Sequence, residues 1–504
     1  MSAERRGARE EPGEQLRFVA VSNRLPIVLE PSGGGVVPRP GVGGLVTALA
    51  PVLRNRGGVW IGWAGAGGEL EEIAGPLAAA SRTVGYELVP VPLSGQEVEL
   101  YYHRFANGCL WPLFHDFPNR AVYDPEAWQA YQEVNHRFAT VAMECTRPKD
   151  FLWVHDYHLM LMGRELRALG AAQLVGFFLH IPFPPLDIFL QLPWRSQVLG
   201  ALLEYDLIGF QTHRDRRNFV QCAKRLVPGV RTRGSGTVFT LTIGDREVRV
   251  GTFPIGIDYH EFAHEAASWP VAEAARYLRD GLGDRTLILG VDRLDYTKGI
   301  PARLEAFRTA LRRYPELRGN VTLIQVAVPS RTQVPEYRFL RSEIDRLVGE
   351  INGEFTEMDW APIHYMYRSL SRDQLLSHYR AADIALVTPL KDGMNLVAKE
   401  YCACDVDERG VLILSDFAGA AAQLHRWCLT VNPNDVDGVA ETILRAYAMP
   451  LGERRYRMRR LRLSTRRNDI YRWVDSFLQA AVARHLDDFQ PEEDYFPPFH
   501  VGDA

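Results

Sequence analysis

The sequence predicts an α/β protein made of two doubly wound domains, and three observations support this prediction. Short apolar strands alternate with amphipathic helices along most of the chain, which is typical of parallel sheets covered on both faces. A β-hairpin pattern at 237–253 ends the first run of alternation, and a strand pattern at 286–289 starts a second. The 504 residues also exceed what one ordinary core organises. We therefore expect a cleft between two domains.

The elements expected in the first half are apolar runs bounded by glycine, proline or polar residues. Strands are predicted at 16–21, 59–63, 86–91, 151–154, 174–179 and 207–210. Helices are predicted at 45–54, 97–114, 124–145, 158–169, 196–203 and 214–226. The hairpin turns at Gly244-Asp245, and the segment 253–258 is the expected linker. A long glycine-rich loop is expected at 30–41; reordering on ligand binding, as in glycine-rich lids, is one role open to it.

The second half repeats this alternation. Strands are predicted at 286–289, 321–328, 384–387 and 411–415, and helices at 301–313, 337–350, after 395, 440–449 and 454–467. The last amphipathic helix, 469–486, is long enough to return to the first domain. The predicted boundaries are a disordered lead-in at 1–16, domains at 17–254 and 255–470, and a crossing helix and tail at 471–504.

Composition excludes several classes of protein. The formal net charge is -4, from 58 basic and 62 acidic residues, so nucleic acid is not an expected partner. The lead-in lacks an apolar signal segment, and later windows lack a run long enough to span a membrane. We expect a cytoplasmic protein with no membrane partner. Six scattered cysteines predict reduced thiols rather than a disulfide framework or zinc site.

The most informative segment is 387–401, a strand end, a polar turn and the start of a helix. In an open α/β sheet this arrangement brings Lys391, Asp392 and Gly393 to the edge where ligands bind, beside free helix N–H groups. Glu400 lies further along the same helix. The alternative is that Asp392 only caps the helix and Glu400 is only solvated.

Two other strand ends carry chemistry. Arg293 and Lys298 follow a strand and precede a helix opened by Pro301, a placement that suits a diphosphate. His180 and Asp156 each follow an apolar strand, although a lone histidine there is more often a core residue. Trp60, Tyr102 and Trp111 add flat faces suited to sugar rings, and the loop before the first helix can cradle phosphates.

Taken together, the motifs resemble those of trehalose-6-phosphate synthases, in the order of that family and from about Phe18 to Phe477. They are Ser22-Asn23-Arg24, Gly43-Gly44-Leu45, Leu110-Trp111-Pro112, Trp153-Val154-His155-Asp156-Tyr157-His158, Phe178-Leu179-His180-Ile181-Pro182-Phe183-Pro184, Arg293-Leu294-Asp295-Tyr296-Thr297-Lys298-Gly299 and Asp392-Gly393-Met394-Asn395-Leu396-Val397-Ala398-Lys399-Glu400-Tyr401.

The resemblance implies a GT-B glycosyltransferase with two Rossmann-like domains and a C-terminal helix that crosses back. It implies transfer of glucose from UDP-, GDP- or ADP-glucose to glucose 6-phosphate, with retention at the donor carbon, as the first step of trehalose biosynthesis. No metal and no cofactor are expected. A homo-oligomer, either a dimer or a tetramer, is expected.

By motif match, the resemblance also implies a role for each site residue. Catalysis is assigned to His180, Asp156, Arg293 and Lys298. Donor binding is assigned to Gly43, Gly44, His180, Arg293, Lys298, Leu370, Asp392, Leu396, Val397, Ala398, Lys399 and Glu400. Acceptor binding is assigned to Arg24, Trp60, Tyr102, Trp111, Asp156 and Arg331. Front-face attack is favoured, and double displacement through Asp156 or Asp392 is the competing scheme.

Two other functions are weighed against this one. A related synthase with another acceptor, such as a glucosylglycerol-phosphate or pseudo-sugar synthase, would not need Arg24, Tyr102 and Arg331 together. A non-catalytic sugar-phosphate sensor would not need the complete donor set. Because the family contacts the base largely through the backbone near 367–370, the identity of the base stays open.

Overall fold

The computed structural model describes residues 17–32, 35–41, 44–65, 70–331, 334–486, 489 and 495–496. Within the first half of these residues, the strands are β1 Phe18–Arg24, β2 Ile27–Ser32, β3 Gly35–Pro40, β4 Val59–Trp63, β5 Glu87–Pro90, β6 Phe151–His155, β7 Leu174–Leu179, β8 Leu207–Phe210, β9 Arg231–Arg233, β10 Val238–Ile243 and β11 Arg246–Thr252. The α-helices are α1 Gly44–Arg56, α2 Leu70–Val84, α3 Gly95–Glu97, α4 Trp111–Phe114, α5 Pro125–Cys145, α6 Met162–Ala168, α7 Leu186–Phe189, α8 Arg195–Leu202 and α9 His213–Leu226.

The second half has the strands β12 Thr286–Arg293, β13 Val321–Val328, β14 Ile363–Met366, β15 Ile384–Val387, β16 Val411–Ser415 and β17 Leu429–Val431. Its helices are α10 Tyr259–Ala267, α11 Trp269–Leu282, α12 Ile300–Arg313, α13 Pro335–Phe355, α14 Arg372–Ala381, α15 Leu396–Cys404, α16 Ala421–Leu424, α17 Val436–Tyr447, α18 Leu451–Arg467 and α19 Ile470–Val482. Short 3₁₀ turns lie at Pro118–Arg120, Tyr157–Leu159, Tyr296–Lys298 and Pro315–Leu317.

Two main sheets organise the described residues. The first runs β5-β4-β1-β6-β7-β8-β11-β10-β9, and the second runs β14-β13-β12-β15-β16-β17. Neighbouring strands of the second sheet are parallel. In the first sheet, as far as the structure describes it, only the β9–β10 and β10–β11 pairings are antiparallel. Strand order reverses between β1 and β6 and again between β12 and β15, so each sheet has a switch point where ligands bind. The predicted fold class is confirmed.

The last helix, α19, lies on the first sheet. The Phe477 ring stacks on Trp153 with centroids 4.2 Å apart. A Cβ on Gly176 or on Gly209 would lie 2.7 Å from the Phe477 ring. These two strands therefore need glycine where the ring lies against them. Arg249 of β11 also donates to the Ala480 carbonyl. The return of the final helix to the first domain is confirmed.

Three predicted elements need correction. The segment expected to be a loop at 30–41 contributes to a hairpin, in which β2 and β3 pair antiparallel. The helix expected at 97–114 is π-helical over Val98–Leu110, and the Trp111 N–H donates to the carbonyl five residues earlier. The crossing helix ends at Val482 rather than at 486. The six cysteines are free thiols, as expected.

Candidate active site

The switch point of the first sheet brings together the ends of β1, β6 and β7. Asp156 follows β6 with φ 74° and ψ 169°, a backbone region that is nearly restricted to glycine. Its carboxylate accepts the His180 backbone N–H at 3.2 Å. Burial raises the pKa of Asp156 to about 7, and backbone N–H groups of Tyr157, His180 and Ile181 oppose that rise. The strained backbone thus holds a carboxyl group that titrates near neutral pH.

The switch point of the second sheet holds paired charges. Arg293 ends β12 and is exposed, whereas Lys298 lies in the following 3₁₀ turn. The Lys298 Nζ lies 2.5 Å from Asp392 Oδ2, and both side chains are nearly buried. Burial would raise the pKa of Asp392, but Lys298 and its hydrogen bond lower it below its usual value. Asp392 is therefore an ionised acceptor at the edge of this sheet.

Aromatic rings lie between the two edges and gather three guanidinium groups. The Arg331 guanidinium lies 4.3 Å and that of Arg293 5.7 Å from the Trp111 ring centroid. The Arg24 guanidinium lies 5.2 Å from the Tyr102 ring. Burial would raise the pKa of Tyr102, but the charges of Arg331, Arg24 and Arg293 lower it below its usual value. Positive charge from both domains therefore converges at one place, which suits an anionic ligand.

Arg331 is held in place by a residue to which the sequence assigned no role. Its guanidinium lies 3.1 Å from the buried Asp295 carboxylate and bonds to the Tyr337 hydroxyl. Arg331 also has a left-handed backbone, with φ 48°. Burial would raise the pKa of Asp295, but Arg331, Arg293 and Lys298 lower it. Asp295 thus fixes one of the three arginines, and its position in the motif of Arg293 was the available signal.

The first turn of α15 lies beside Asp392. Asn395 is the N-cap, with φ 61°, and its side chain accepts the Ala398 N–H at 3.2 Å. The alternative that Asp392 caps this helix is therefore wrong. The Ala398 N–H is already satisfied by the cap, so its assignment to the donor needs correction. Leu396 and Val397 begin the helix, where N–H groups lack intrahelical acceptors.

The side chain of Lys399, a residue assigned to the donor, points away from the cleft edge. It is buried, and its ammonium donates to the Ile255 carbonyl and to Gln423. Burial lowers the pKa of Lys399 to about 7. The Lys399 side chain thus ties α15 to Ile255, in the segment predicted to be the linker, and a contact of Lys399 with the donor stays a prediction. Glu400 is half-buried and accepts the Tyr379 hydroxyl at 2.8 Å, while burial raises its pKa.

The assignment of Trp60 to the acceptor is also wrong. Its side chain is fully buried in the core, and its indole N–H donates to Ser22 Oγ at 2.7 Å. No face of this ring is open to a sugar. Gly43 lies outside the described residues, and Gly44 begins α1. Leu370 is partly buried against the core, so a contact with the base stays a prediction.

The two halves touch directly beside the site. A Cβ on Gly393 would lie 2.2 Å from the His180 carbonyl oxygen, so only glycine fits there. The Lys391 Nζ lies 2.5 Å from Asp116 Oδ2 across the same gap. Further out, the Phe117 and Tyr296 rings meet edge to face with centroids 5.3 Å apart. These contacts fix the two switch points opposite each other.

Two other features of the described residues concern metal sites and helices that could cross a membrane. Within the described ranges, no group of three or more histidine, cysteine, aspartate or glutamate side chains could hold a metal ion. Over the same residues, every helix is too short or too polar to cross a membrane.

Two Rossmann-like sheets whose switch points face each other across a cationic cleft form the GT-B architecture, which glycosyltransferases use. The model of "Glycosyltransferase family 20" matches residues 16–483, and the chain belongs to this family.

Relatives of known name agree with this assignment. The chain is 44% identical over 484 residues to the trehalose-6-phosphate synthase of Mycobacterium tuberculosis, covering 93% of this chain and 95% of the relative. It is 43% identical to a bifunctional trehalose-6-phosphate synthase/phosphatase of Thermoproteus tenax, covering 93% of this chain but only 64% of that longer protein.

Solved structures are similar over nearly the whole chain. An alpha,alpha-trehalose-phosphate synthase (UDP-forming) from Burkholderia xenovorans, in complex with glucose-6-phosphate, has a TM-score of 0.83 and 35% identity, covering 92% of this chain and 99% of that one. The E. coli protein bound with UDP-2-fluoro glucose has a TM-score of 0.83 and 36% identity, covering 92% and 98%. The resemblance found in the motifs is confirmed.

Proposed function

We propose that this protein transfers glucose from a nucleotide-glucose to glucose 6-phosphate, giving α,α-trehalose 6-phosphate and a nucleoside diphosphate. The observation that carries the proposal is the convergence of Arg24, Arg293 and Arg331 around Tyr102 and Trp111. Two anionic substrates meeting in one cleft need such charge from both domains. The named relatives, which include a complex with glucose-6-phosphate, support the same substrates.

On the donor side, Arg293 and Lys298 act on the diphosphate. Negative charge grows on the leaving diphosphate as its bond to glucose breaks, and fixed cations stabilise that charge most in the transition state. Lys298 is held by Asp392, so the ammonium is in place before the donor arrives. The first-turn N–H groups of Leu396 and Val397 add the positive end of the α15 dipole.

On the acceptor side, Arg24, Arg331 and Tyr102 grip the phosphate of glucose 6-phosphate. The hydroxyl of Tyr102 and the two guanidinium groups provide directed donors, and Asp295 keeps Arg331 in position. Trp111, which is nearly buried, limits the space for the sugar. Asp156 accepts a hydroxyl of that sugar. An acceptor without phosphate would leave these charges uncompensated.

The choice between front-face attack and double displacement depends on whether either of the two carboxylates can act as a nucleophile. Asp392 is engaged by Lys298 and by the Asn395 amide at 3.1 Å. Asp156 accepts the His180 N–H, and its raised pKa leaves much of it protonated near neutral pH, so less of it is available as a nucleophilic carboxylate. Both features support front-face attack, in which the acceptor hydroxyl gives its proton to a phosphate oxygen. Double displacement through either residue remains the competing scheme.

Several properties complete the proposal. UDP-, GDP- and ADP-glucose are all retained as donors, because contacts through the backbone near Leu370 select weakly between bases. We expect no metal and no cofactor, since Arg293 and Lys298 supply the charge that a metal would otherwise bring. The cytoplasm, where both substrates are found, is the proposed compartment. A homo-oligomer is also proposed, to be tested by light scattering.

The test measures release of nucleoside diphosphate from each of the three nucleotide-glucoses, with and without glucose 6-phosphate. We expect release that depends on glucose 6-phosphate with at least one donor. The control acceptors are glucose and glucose 1-phosphate, which lack the phosphate at the required position. Equal release with either control would contradict the acceptor assignment. Unchanged rates in the presence of EDTA are expected if no metal takes part.

A further inference from the structure

His155 and His180 form a pair of buried histidines beside the site, and the sequence motifs assign a role to His180 only. His155 ends β6 and is fully buried, and its Nδ1 lies 3.1 Å from Nε2 of His180. The two ring nitrogens that remain, Nε2 of His155 and Nδ1 of His180, are buried and have no hydrogen-bond partner among the residues that the structure describes. Each ring therefore makes one hydrogen bond and has one nitrogen left over.

Both rings are neutral. Burial lowers the pKa of His180 to about 3 and that of His155 well below its usual value. A neutral imidazole carries one N–H and one bare nitrogen, and the hydrogen bond at one nitrogen decides which is which. The contact at 3.1 Å therefore admits only two arrangements of the two protons.

In one arrangement, His155 donates from Nδ1 to Nε2 of His180, so the proton of His180 lies on Nδ1. In the other, His180 donates, and the unpaired N–H lies on Nε2 of His155. That second N–H would be enclosed among the rings of Trp153 and Trp473, whose centroids lie 4.8 and 6.3 Å from the His155 ring. A buried N–H that no acceptor can reach is costly. The first arrangement avoids this cost once a ligand reaches His180.

His180 is the member of the pair that borders the candidate active site. Its carbonyl oxygen touches Gly393 of the second domain, and its backbone N–H donates to Asp156. The Nδ1 of His180 is the ring nitrogen that makes no contact with His155, and it is buried. An acceptor atom brought by a substrate can therefore satisfy this nitrogen, which the protein leaves unpaired.

We propose that His155 is a positioning residue: by donating from Nδ1 to His180 Nε2, it keeps the His180 proton on Nδ1, ready to donate to a hydroxyl oxygen of the transferred sugar. The identity of that sugar rests on the proposed function. The orientation of the proton rests on the contact between the two rings and on the burial of His155.

The variants His155→Leu and His155→Asn separate this role from simple packing. Asparagine can place an amide N–H near the position of Nδ1, whereas leucine cannot donate. Binding is measured by calorimetry for the nucleotide-glucose that turns over and for the matching nucleoside diphosphate, which lacks the sugar. We expect His155→Leu to weaken binding of the nucleotide-glucose about fivefold to tenfold, with the diphosphate unaffected and His155→Asn closer to the parent. Equal losses for both ligands would overturn the proposal.

A double-mutant cycle with His180→Ala adds a second readout. If His155 acts through His180, His155→Leu should lower kcat in the parent but cause no further loss when His180 is already alanine. Independent losses that simply multiply would show a general structural role and contradict the proposal.

A third readout does not depend on the substrate. In protein labelled with ¹⁵N-histidine, the signals of His180 are identified by their loss in His180→Gln. We expect its Nδ1 to be protonated and its Nε2 to be bare, and the reverse would overturn the proposal. If no nucleotide-glucose binds the parent protein, the proposed function fails, whereas these spectra still decide the arrangement of the histidine pair.

Discussion

The two switch points that face each other across the cleft are built on different principles. At the edge of the first sheet, the rings of His155 and His180 are neutral, and the pKa of Asp156 is raised to about 7. At the edge of the second sheet, charges are already paired, as in Lys298 with Asp392. The first edge offers two neutral rings and one carboxyl group whose protonation can change near neutral pH, whereas the second offers fixed charge.

This difference matches the tasks proposed for each side. A sugar ring needs directed hydrogen bonds, and a leaving diphosphate needs cations that do not reorganise during the reaction. Arg303, which is fully buried beneath the second edge, acts as a brace for it. Its guanidinium pairs with Asp292 and donates to Thr388 at 2.9 Å and to Gln325 at 3.1 Å. One guanidinium group thereby joins three neighbouring strands, β13, β12 and β15.

Removing this brace is expected to have the largest effect. Arg303→Met leaves the Asp292 carboxylate buried and unpaired, so the free energy of unfolding should fall by about 3–5 kcal/mol, measured by urea denaturation. Arg303→Met combined with Asp292→Asn should recover part of this loss, because the buried charge is then removed. A single variant as stable as the parent would show that the pair is not a brace.

The next prediction concerns Arg293, the exposed charge at the end of β12. Arg293→Ala should lower kcat/KM by about a hundredfold to a thousandfold, as expected when one group that stabilises a developing charge is lost. Arg455→Ala, at an exposed position of α18, is the matched control and should leave the rate unchanged. If Arg293→Ala raised only the KM for the donor and left kcat unchanged, Arg293 would bind donor without stabilising the transition state.

The contact between the two edges can be broken without changing any charge. In Gly393→Ala, the added Cβ meets the His180 carbonyl, so the edges must separate. Since misplacement by about 1 Å can cost about a hundredfold in rate, we expect a loss of that order in kcat. Gly349→Ala, where a Cβ has open space, is the control. Full activity in Gly393→Ala would mean that this contact is not needed for the reaction.

The raised pKa of Asp156 at the first edge predicts a pH dependence of stability. Between about pH 4 and pH 7, the Asp156 carboxyl holds its proton in the native state but loses it in the unfolded state. The native state then binds more protons, so this group makes stability fall as pH rises. Asp156→Asn removes that contribution, and its stability relative to the parent should increase across the same range. A difference that stays constant with pH would contradict the raised pKa.

The smallest effect is expected at the ion pair that links the two domains. Lys391 and Asp116 are partly exposed, and such pairs contribute about 1 kcal/mol or less. Lys391→Ala should change the free energy of unfolding by no more than this amount, with Asp116→Ala and the double variant completing the cycle. A coupling well above that value would make this pair, rather than the Gly393 contact, the main link between the edges.

The parts of the site that were predicted from sequence are those whose chemistry follows strand ends. The turn before α15 and the position of Arg293 could be predicted because parallel strands end at the same sheet edge. Trp60 could not be placed in this way. Val59 and Ile61 enter one core and Trp60 enters the other, since both faces of the sheet are buried and no polar alternation marks the difference.

Other features depend on contacts between distant residues. His155 and His180 are 25 positions apart, and a histidine at a strand end does not by itself indicate what its ring meets. The hairpin of β2 and β3 was missed because glycines and prolines at 31–40 are typical of loops. Lys399 lies in the expected motif, but only the fold shows that it turns toward the Ile255 carbonyl.

The most direct test of the account is the structure of the product, determined by NMR after incubation with the active nucleotide-glucose and glucose 6-phosphate. If fixed charge on the second edge expels the diphosphate while the first edge holds the acceptor on the same face, the product should be a 1,1-linked disaccharide phosphate with both anomeric centres α. A β configuration at the transferred glucose, or release of free glucose as the main product, would contradict the account.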